Sequence, residues 1–188
     1  MVSMVNIGWR IVVYGPTGTG KTTVAARIAQ SIGVPHIELD AIFWKPNWTL
    51  TPLEQSRADV SSILANHPDG WVFDGNWQGV RDLILPLADT VVWLHPPFHV
   101  AFWWLLRRTF TRAWTQELLW GTNRESWRQS FLRRDNILVY HITHWRRTLR
   151  RTRQVLQEIP HQASVFDLRS VKEIDEFLAS LDSTEHGE

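Results

Sequence analysis

An apolar run, Ile11-Val12-Val13-Tyr14, leads directly into Gly15-Pro16-Thr17-Gly18-Thr19-Gly20-Lys21-Thr22, and a helix-forming stretch to Ala29 comes next. The turn fits G-x-x-x-x-G-K-[ST] in full, between a strand pattern and a helix pattern, which confines the chain to a narrow set of folds. Glycines let the backbone turn tightly and bare several N–H groups, and the helix start adds its partial positive charge. Such a cradle holds a polyphosphate. Gly15, Thr17, Gly18, Thr19, Gly20, Lys21, Thr22 and Thr23 are therefore the expected ATP contacts, with Lys21 reaching the outer phosphates and the Thr22 hydroxyl ligating Mg²⁺. The competing reading is a glycine-rich turn with a chance lysine, and it leaves the strand and helix on either side unexplained.

The rest of the chain alternates strand and helix patterns. Strands are expected at Trp9–Tyr14, His36–Leu39, Trp71–Phe73, Thr90–Leu94 and Ala163–Leu168. Helices are expected at Gly20–Ile32, from a Thr51 cap to Asn66, and from Val171 to Leu181 with Ser170 as cap. This alternation predicts an α/β three-layer fold around a mainly parallel five-stranded sheet. A length of 188 residues fits one domain, 1–188, and 44% apolar residues can fill two faces of a sheet. Val91–Leu106 is the most membrane-like stretch, but His95, Pro96, Pro97 and His99 interrupt it and no span is expected. The chain has no cysteine, and its first residues lack the features of a signal peptide, so a cytoplasmic location is expected.

Between Phe98 and Arg153 the pattern turns to helices alone, at Phe98–Arg112, Asn123–Arg134 and Ile137–Arg153, with a hinge at Gly121-Thr122-Asn123. This segment carries twelve arginines, no lysine and three acids, whereas residues 154–188 carry two basic residues against eight acids. Guanidinium forks pair bidentately with phosphate, so an arginine-bearing lid over the reacting phosphates is the expected role of 98–153. Arg107, Arg108, Arg112 and Arg124 are its candidates, and Arg108 and Arg124 are the two assigned to catalysis. The alternative for the same block is a basic surface for nucleic acid.

Ligands of open parallel sheets bind beyond the carboxyl ends of the strands. Asp40 and Asp74 are expected at two such ends. Asp74 is read as a second Mg²⁺ ligand beside Thr22, and Asp40 as the group that orients or deprotonates an acceptor. The plainer readings are a turn-forming Asp-Gly at Asp74 and a helix cap at Asp40. Twelve tryptophans are an excess. Trp9, Trp71 and Trp93 read as core. Trp44, Trp48 and Trp77 follow the two acids and either wall an acceptor pocket or fill the space between sheet and helix. His141 and His144 have no acid nearby in sequence and read as surface or packing residues.

The chain resembles the small phosphate-loop kinases of the adenylate kinase-like group and, within it, the DNA topology modulation (FlaR-like) proteins. The resemblance is carried by the Tyr14–Thr23 loop, by Pro35–Trp44 with its Glu38-Leu39-Asp40-Ala41, and by Trp71–Trp77 with its Asp74-Gly75-Asn76-Trp77. Ala88–Leu94 and Gly121–Glu125 extend it. It implies a five-stranded parallel sheet, a substrate-side helix near 52–66 and an arginine lid containing Arg124. It also implies ATP and Mg²⁺ at Lys21 and Thr22, with Asp40 and Asp74 near the acceptor. Leu87-Ala88-Asp89 and His95 depart from the family pattern, and so does the run after Asp74-Gly75, where Asn76 stands and the next arginine is Arg81. Asp40, Trp44, Asp74, Asn76 and Arg81 form the expected acceptor side. The function expected is ATP-dependent phosphoryl transfer to a small acceptor of nucleotide or nucleoside type. The alternatives are a nucleotide-dependent nucleic-acid-binding regulator, or an ATP-binding protein with slow hydrolysis.

Overall fold

The computed structural model describes residues 7–121, 123–124, 136–159 and 161–182. Five strands, β1 (Arg10–Tyr14), β2 (His36–Glu38), β5 (Trp71–Asp74), β6 (Thr90–Leu94) and β9 (Ser164–Leu168), form one sheet in the order β2-β5-β1-β6-β9. Every pairing in it is parallel. Two short antiparallel hairpins stand apart from the sheet: β3 (Trp44–Lys45) with β4 (Thr49–Leu50), and β7 (Leu118–Leu119) with β8 (Asn123–Arg124). The helices are α1 (Lys21–Ile32), α2 (Leu39–Phe43), α3 (Leu53–Asn66), α4 (Arg81–Ile84), α5 (Phe98–Thr115), α6 (Ile137–Gln157) and α7 (Val171–Asp182). The α/β sandwich and its five-stranded parallel sheet are as the alternating pattern predicts.

Side chains of a strand alternate between faces, and a parallel sheet buries both. Ile11, Val13, Val72, Val92 and Leu94 point to one side, where Val24, Ala25 and Ile28 of α1 meet Ile174, Phe177 and Leu178 of α7. Val12, Tyr14, Trp71, Phe73, Val91 and Trp93 point to the other, against α2, α3, α4 and Val155 of α6. The central strands are accordingly apolar over most of their length. Helix α1 stops at Gly33, whose φ of 70° and N–H contacts to the Ala29 and Gln30 carbonyls make a left-handed helix end.

Some boundaries differ from the sequence expectation. Leu39 leaves the strand and starts α2, because Leu39 and Phe43 are four apart and both buried. Thr51 is not the cap of α3; its hydroxyl donates to the Ile42 carbonyl, 2.8 Å away, and Pro52 takes the cap position. Ser170 does serve α7, accepting the Glu173 N–H at 3.2 Å. Trp9 is 57% exposed rather than core. Residues 123–124 belong to a hairpin rather than opening a helix, and the remainder of the expected Asn123–Arg134 helix lies outside the described residues. No helix among the described residues is long and apolar enough to cross a membrane.

Register brings the chemistry to one end. Asp74 is opposite Val13 of β1 on one side and Glu38 of β2 on the other. The turn after β1, the end of β5 and the start of α2 therefore meet above the same sheet edge.

Candidate active site

The turn after β1 is wedged between its neighbours. Gly18 has a φ of +85°, and a Cβ there would sit 2.7 Å from the Ala101 carbonyl oxygen and 2.8 Å from Leu105 Cβ, both on α5. At Gly15 a Cβ would come within 2.3 Å of the Leu94 carbonyl oxygen. The loop thus lies directly on β6 and α5. Gly18→Ala should lower stability by about 1–3 kcal/mol through backbone strain and collision, and weaken ATP binding with it. Thermal midpoint and ATP affinity measured on that variant check this; wild-type values for both would contradict it.

Inside the loop, the Pro16 carbonyl accepts from the Thr19 hydroxyl and the Lys21 ammonium, each at 2.9 Å. Asn76, expected on the acceptor side, braces the loop as well: its Nδ2 donates to the Gly15 carbonyl at 2.7 Å, and its Oδ1 accepts the Gly15 N–H at 3.4 Å. Thr22 and Thr23 are exposed on the first turn of α1, and Thr17, Gly18 and Gly20 are half-buried.

Three charges distant in sequence act on Lys21 here. Loss of water around the Lys21 ammonium lowers its pKa, Asp74 and then Asp40 oppose that shift, and Arg108 reinforces it. Asp74 is buried, with His36 Nε2 3.7 Å from its Oδ1. Asp40, in the first turn of α2, is exposed, and its Oδ1 accepts a 2.7 Å bond from Trp77 Nε1. Arg108 lines a smaller cleft of about 370 Å³ on α5 with Trp104, Arg107 and Arg112. Arg124 has its backbone in β8; its side chain lies outside the described residues.

Beside the loop opens a cleft of about 600 Å³, walled by Tyr14, Phe43, Trp77, Arg81, Tyr140 and Arg151 and bordered by Asn76. Trp77 is fixed by its bond to Asp40 and by stacking on Phe43, with centroids 4.0 Å apart and planes 4° from parallel. Trp44 meets Trp77 edge-on at 6.0 Å and Trp48 at 5.8 Å, so it backs the wall rather than facing the cleft. Arg81 is held at 3.1 Å by Glu158, just past the end of α6. Burial pushes the Tyr14 hydroxyl up to about 12, so it stays protonated.

Several participants escape sequence reading because their partners are far along the chain. Tyr140 and Arg151 reach the cleft from α6. Trp120 Nε1 donates to Glu38 Oε2 at 3.1 Å. The buried Asn123 amide joins the β3–β4 hairpin twice, accepting from Trp48 N and donating to the Lys45 carbonyl, each at 3.0 Å. His141, expected at the surface or in packing, is 2% exposed and lies 2.7 Å from the Thr17 carbonyl.

A carboxylate beside a phosphate cradle, with a hydroxyl on the first helical turn, suits Mg²⁺, which takes one or two protein oxygens and completes its shell with water and phosphate. Among the described residues no group of three or more His, Asp, Glu or Cys side chains forms a metal cage of its own. Asp74 and Thr22 are the donors that fit.

Comparison with known proteins bears on the fold and on part of the sequence. A model of the ATPase family associated with various cellular activities (AAA) matches residues 11–64. The solved structure of a gluconokinase from Sinorhizobium meliloti 1021 superposes with a TM-score of 0.52 at 18% identity, covering 96% of this chain and 95% of that one. A sugar kinase from Janibacter sp. HTCC2649 superposes equally, at 0.52 and 18%, over 93% and 95% of the two chains. The chain shares its fold with these two kinases. In sequence, the cytidylate kinase of Nitratidesulfovibrio vulgaris (strain Hildenborough) is 40% identical over 66 residues, 35% of this chain. The aligned part spans 27% of that relative, and the same holds for the enzyme of strain DP4.

Proposed function

We propose that the protein is an ATP-dependent phosphotransferase acting on a small acceptor of nucleotide or nucleoside type. The observation that carries this reading is the phosphate loop with Lys21 at its end, beside Asp74 on the neighbouring strand and a cleft with aromatic and guanidinium walls. The two blocks that carry the FlaR-like resemblance meet there too: Trp77 of one bonds Asp40 of the other and stacks on Phe43. Membership in that group is part of the proposal.

Phosphoryl transfer depends on positioning and charge neutralisation rather than on a covalent intermediate. The loop amides and Lys21 bind the outer phosphates of ATP. Asp74 and Thr22 would hold Mg²⁺, which would supply neutralisation of the phosphate charge. Asp40, held in one orientation by Trp77, takes the acceptor hydroxyl's proton. The hydroxyl oxygen bonds to the γ-phosphorus as the bond from that phosphorus to the β–γ bridging oxygen breaks, releasing ADP. Arg108, with Arg124, compensates charge on the transferring group. In the cleft, Trp77, backed by the buried Phe43, offers an apolar ring surface, and Arg81 and Arg151 offer charge to an anionic substituent.

ADP release from Mg-ATP, measured across nucleoside monophosphates, nucleosides and small hydroxylated metabolites, tests this. Acceleration by an acceptor that carries both a ring and an anionic group is expected. Arg81→Gln should raise the KM for that acceptor about 10- to 100-fold, the loss of a hydrogen bond to a charged group. A panel in which no acceptor speeds ADP release would sink the assignment.

A further inference from the structure

His141 enters the phosphate loop from outside the motif. It sits on α6, one turn in, surrounded by the rings of Phe98 at 5.1 Å, Phe102 at 5.8 Å and Trp145 at 4.9 Å. Its Nδ1 lies 2.7 Å from the Thr17 carbonyl oxygen. A carbonyl only accepts, so Nδ1 carries the proton and donates. Nε2 is buried and has no hydrogen-bond partner among the described residues. Burial holds the imidazole below its ordinary 6.5, against the bond to Thr17 and with Lys21 acting in the same direction as burial, so the ring is neutral at pH 7. A buried histidine used only as apolar filling would be a costly choice among three aromatic rings. Its hydrogen bond goes to the loop.

The carbonyl that His141 holds shares a peptide with the Gly18 amide. That peptide is planar and trans, so its C=O and N–H point in opposite directions. Gly18 tolerates either sign of φ, which makes rotation of the peptide plane sterically cheap. Among the described residues, His141 is the side chain that bonds the Thr17 carbonyl. We propose that His141 is a positioning residue that fixes the Thr17–Gly18 peptide from α6 and so keeps the Gly18 N–H turned into the phosphate cradle. The proposal rests on the ATP-binding reading of the loop. It also gives α6 two tasks, because Tyr140 and Arg151 of the same helix line the acceptor cleft.

Two variants separate the bond from the bulk. His141→Leu fills the aromatic shell without a donor, and His141→Asn places an amide N–H near the position of Nδ1. Mg-ATP affinity by calorimetry and amide exchange at Gly18 in the nucleotide-free protein are the readouts, with thermal midpoints alongside. The Leu variant is expected to bind ATP about tenfold more weakly and to exchange faster at Gly18, and the Asn variant to recover most of both. Should the Leu variant not fold, His141→Met supplies the same comparison. Equal affinities in the Leu and Asn variants, or Gly18 exchange unchanged by either, would overturn the assignment. Wild-type protein that binds no Mg-ATP would instead overturn the kinase reading, and Gly18 exchange would then decide the role of His141 alone.

Discussion

Lys21→Ala is expected to lower phosphoryl transfer about a thousandfold, about 4 kcal/mol in the barrier, and to leave the fold standing. Lys21 comes directly after the loop glycines and donates to the Pro16 carbonyl, in the electrostatic field of Asp74, Asp40 and Arg108. An ammonium aimed at a developing charge in a site with little water is worth far more than one in solvent, which accounts for the size of the loss. Stability responds differently. Dehydration of Lys21 disfavours its charged form, so removing it relieves that penalty while giving up one bond to a carbonyl. The thermal midpoint should therefore hold, and steady-state transfer rates of folded variant against wild type check the prediction. Transfer within a few-fold of wild type would remove Lys21 from the mechanism.

Asp74→Asn should cost about a hundredfold in transfer, about 2.7 kcal/mol, and raise the Mg²⁺ concentration needed for half-maximal rate. The substitution keeps size and removes charge at a buried position between β1 and β2. The lost charge also acts on Lys21. Asp74 is the strongest influence holding the Lys21 proton on, against dehydration, which already pulls its pKa below the usual 10.5. ATP binding by the free protein should thus fall on the alkaline side before pH 10.5, and Asp74→Asn should move that fall to lower pH still. The pH dependence of kcat/KM for ATP measures both. An alkaline limb that stays in place, with Mg²⁺ dependence unchanged, would mean that Asp74 is only a structural carboxylate.

The sheet and the loop are legible in the sequence because their signals are local. Strands β1, β5 and β6 each hold an apolar run, Ile11–Tyr14, Trp71–Phe73 and Val91–Leu94, and the glycine pattern sits at the end of the first. Where the structure departs from expectation, long-range partners have taken over a locally plausible role. Asn123 is expected to open a helix, yet its amide is engaged by Lys45 and Trp48, more than seventy positions away in sequence. Thr51 looks like a cap for α3, but its hydroxyl bonds Ile42. Asp40 looks like a strand-end acid, and the burial of Leu39 and Phe43 on one side of a short helix places it in a helical turn instead. Of the tryptophans after the two acids, Trp77 faces the cleft while Trp44 backs it. No pattern in the sequence separates those two. His141 carries no signal at all, because its partner is a backbone carbonyl 124 residues away.

The mechanism stands on transfer of the terminal phosphoryl group of ATP to an organic acceptor, so the fate of that group decides it. Protein incubated with Mg²⁺ and ATP labelled in the γ-phosphate, with the acceptor mixture present, should yield label in a phosphorylated acceptor, and Lys21→Ala should yield none. Label recovered only as free inorganic phosphate, at a rate no acceptor changes, would contradict this mechanism and leave a nucleotide hydrolase in its place.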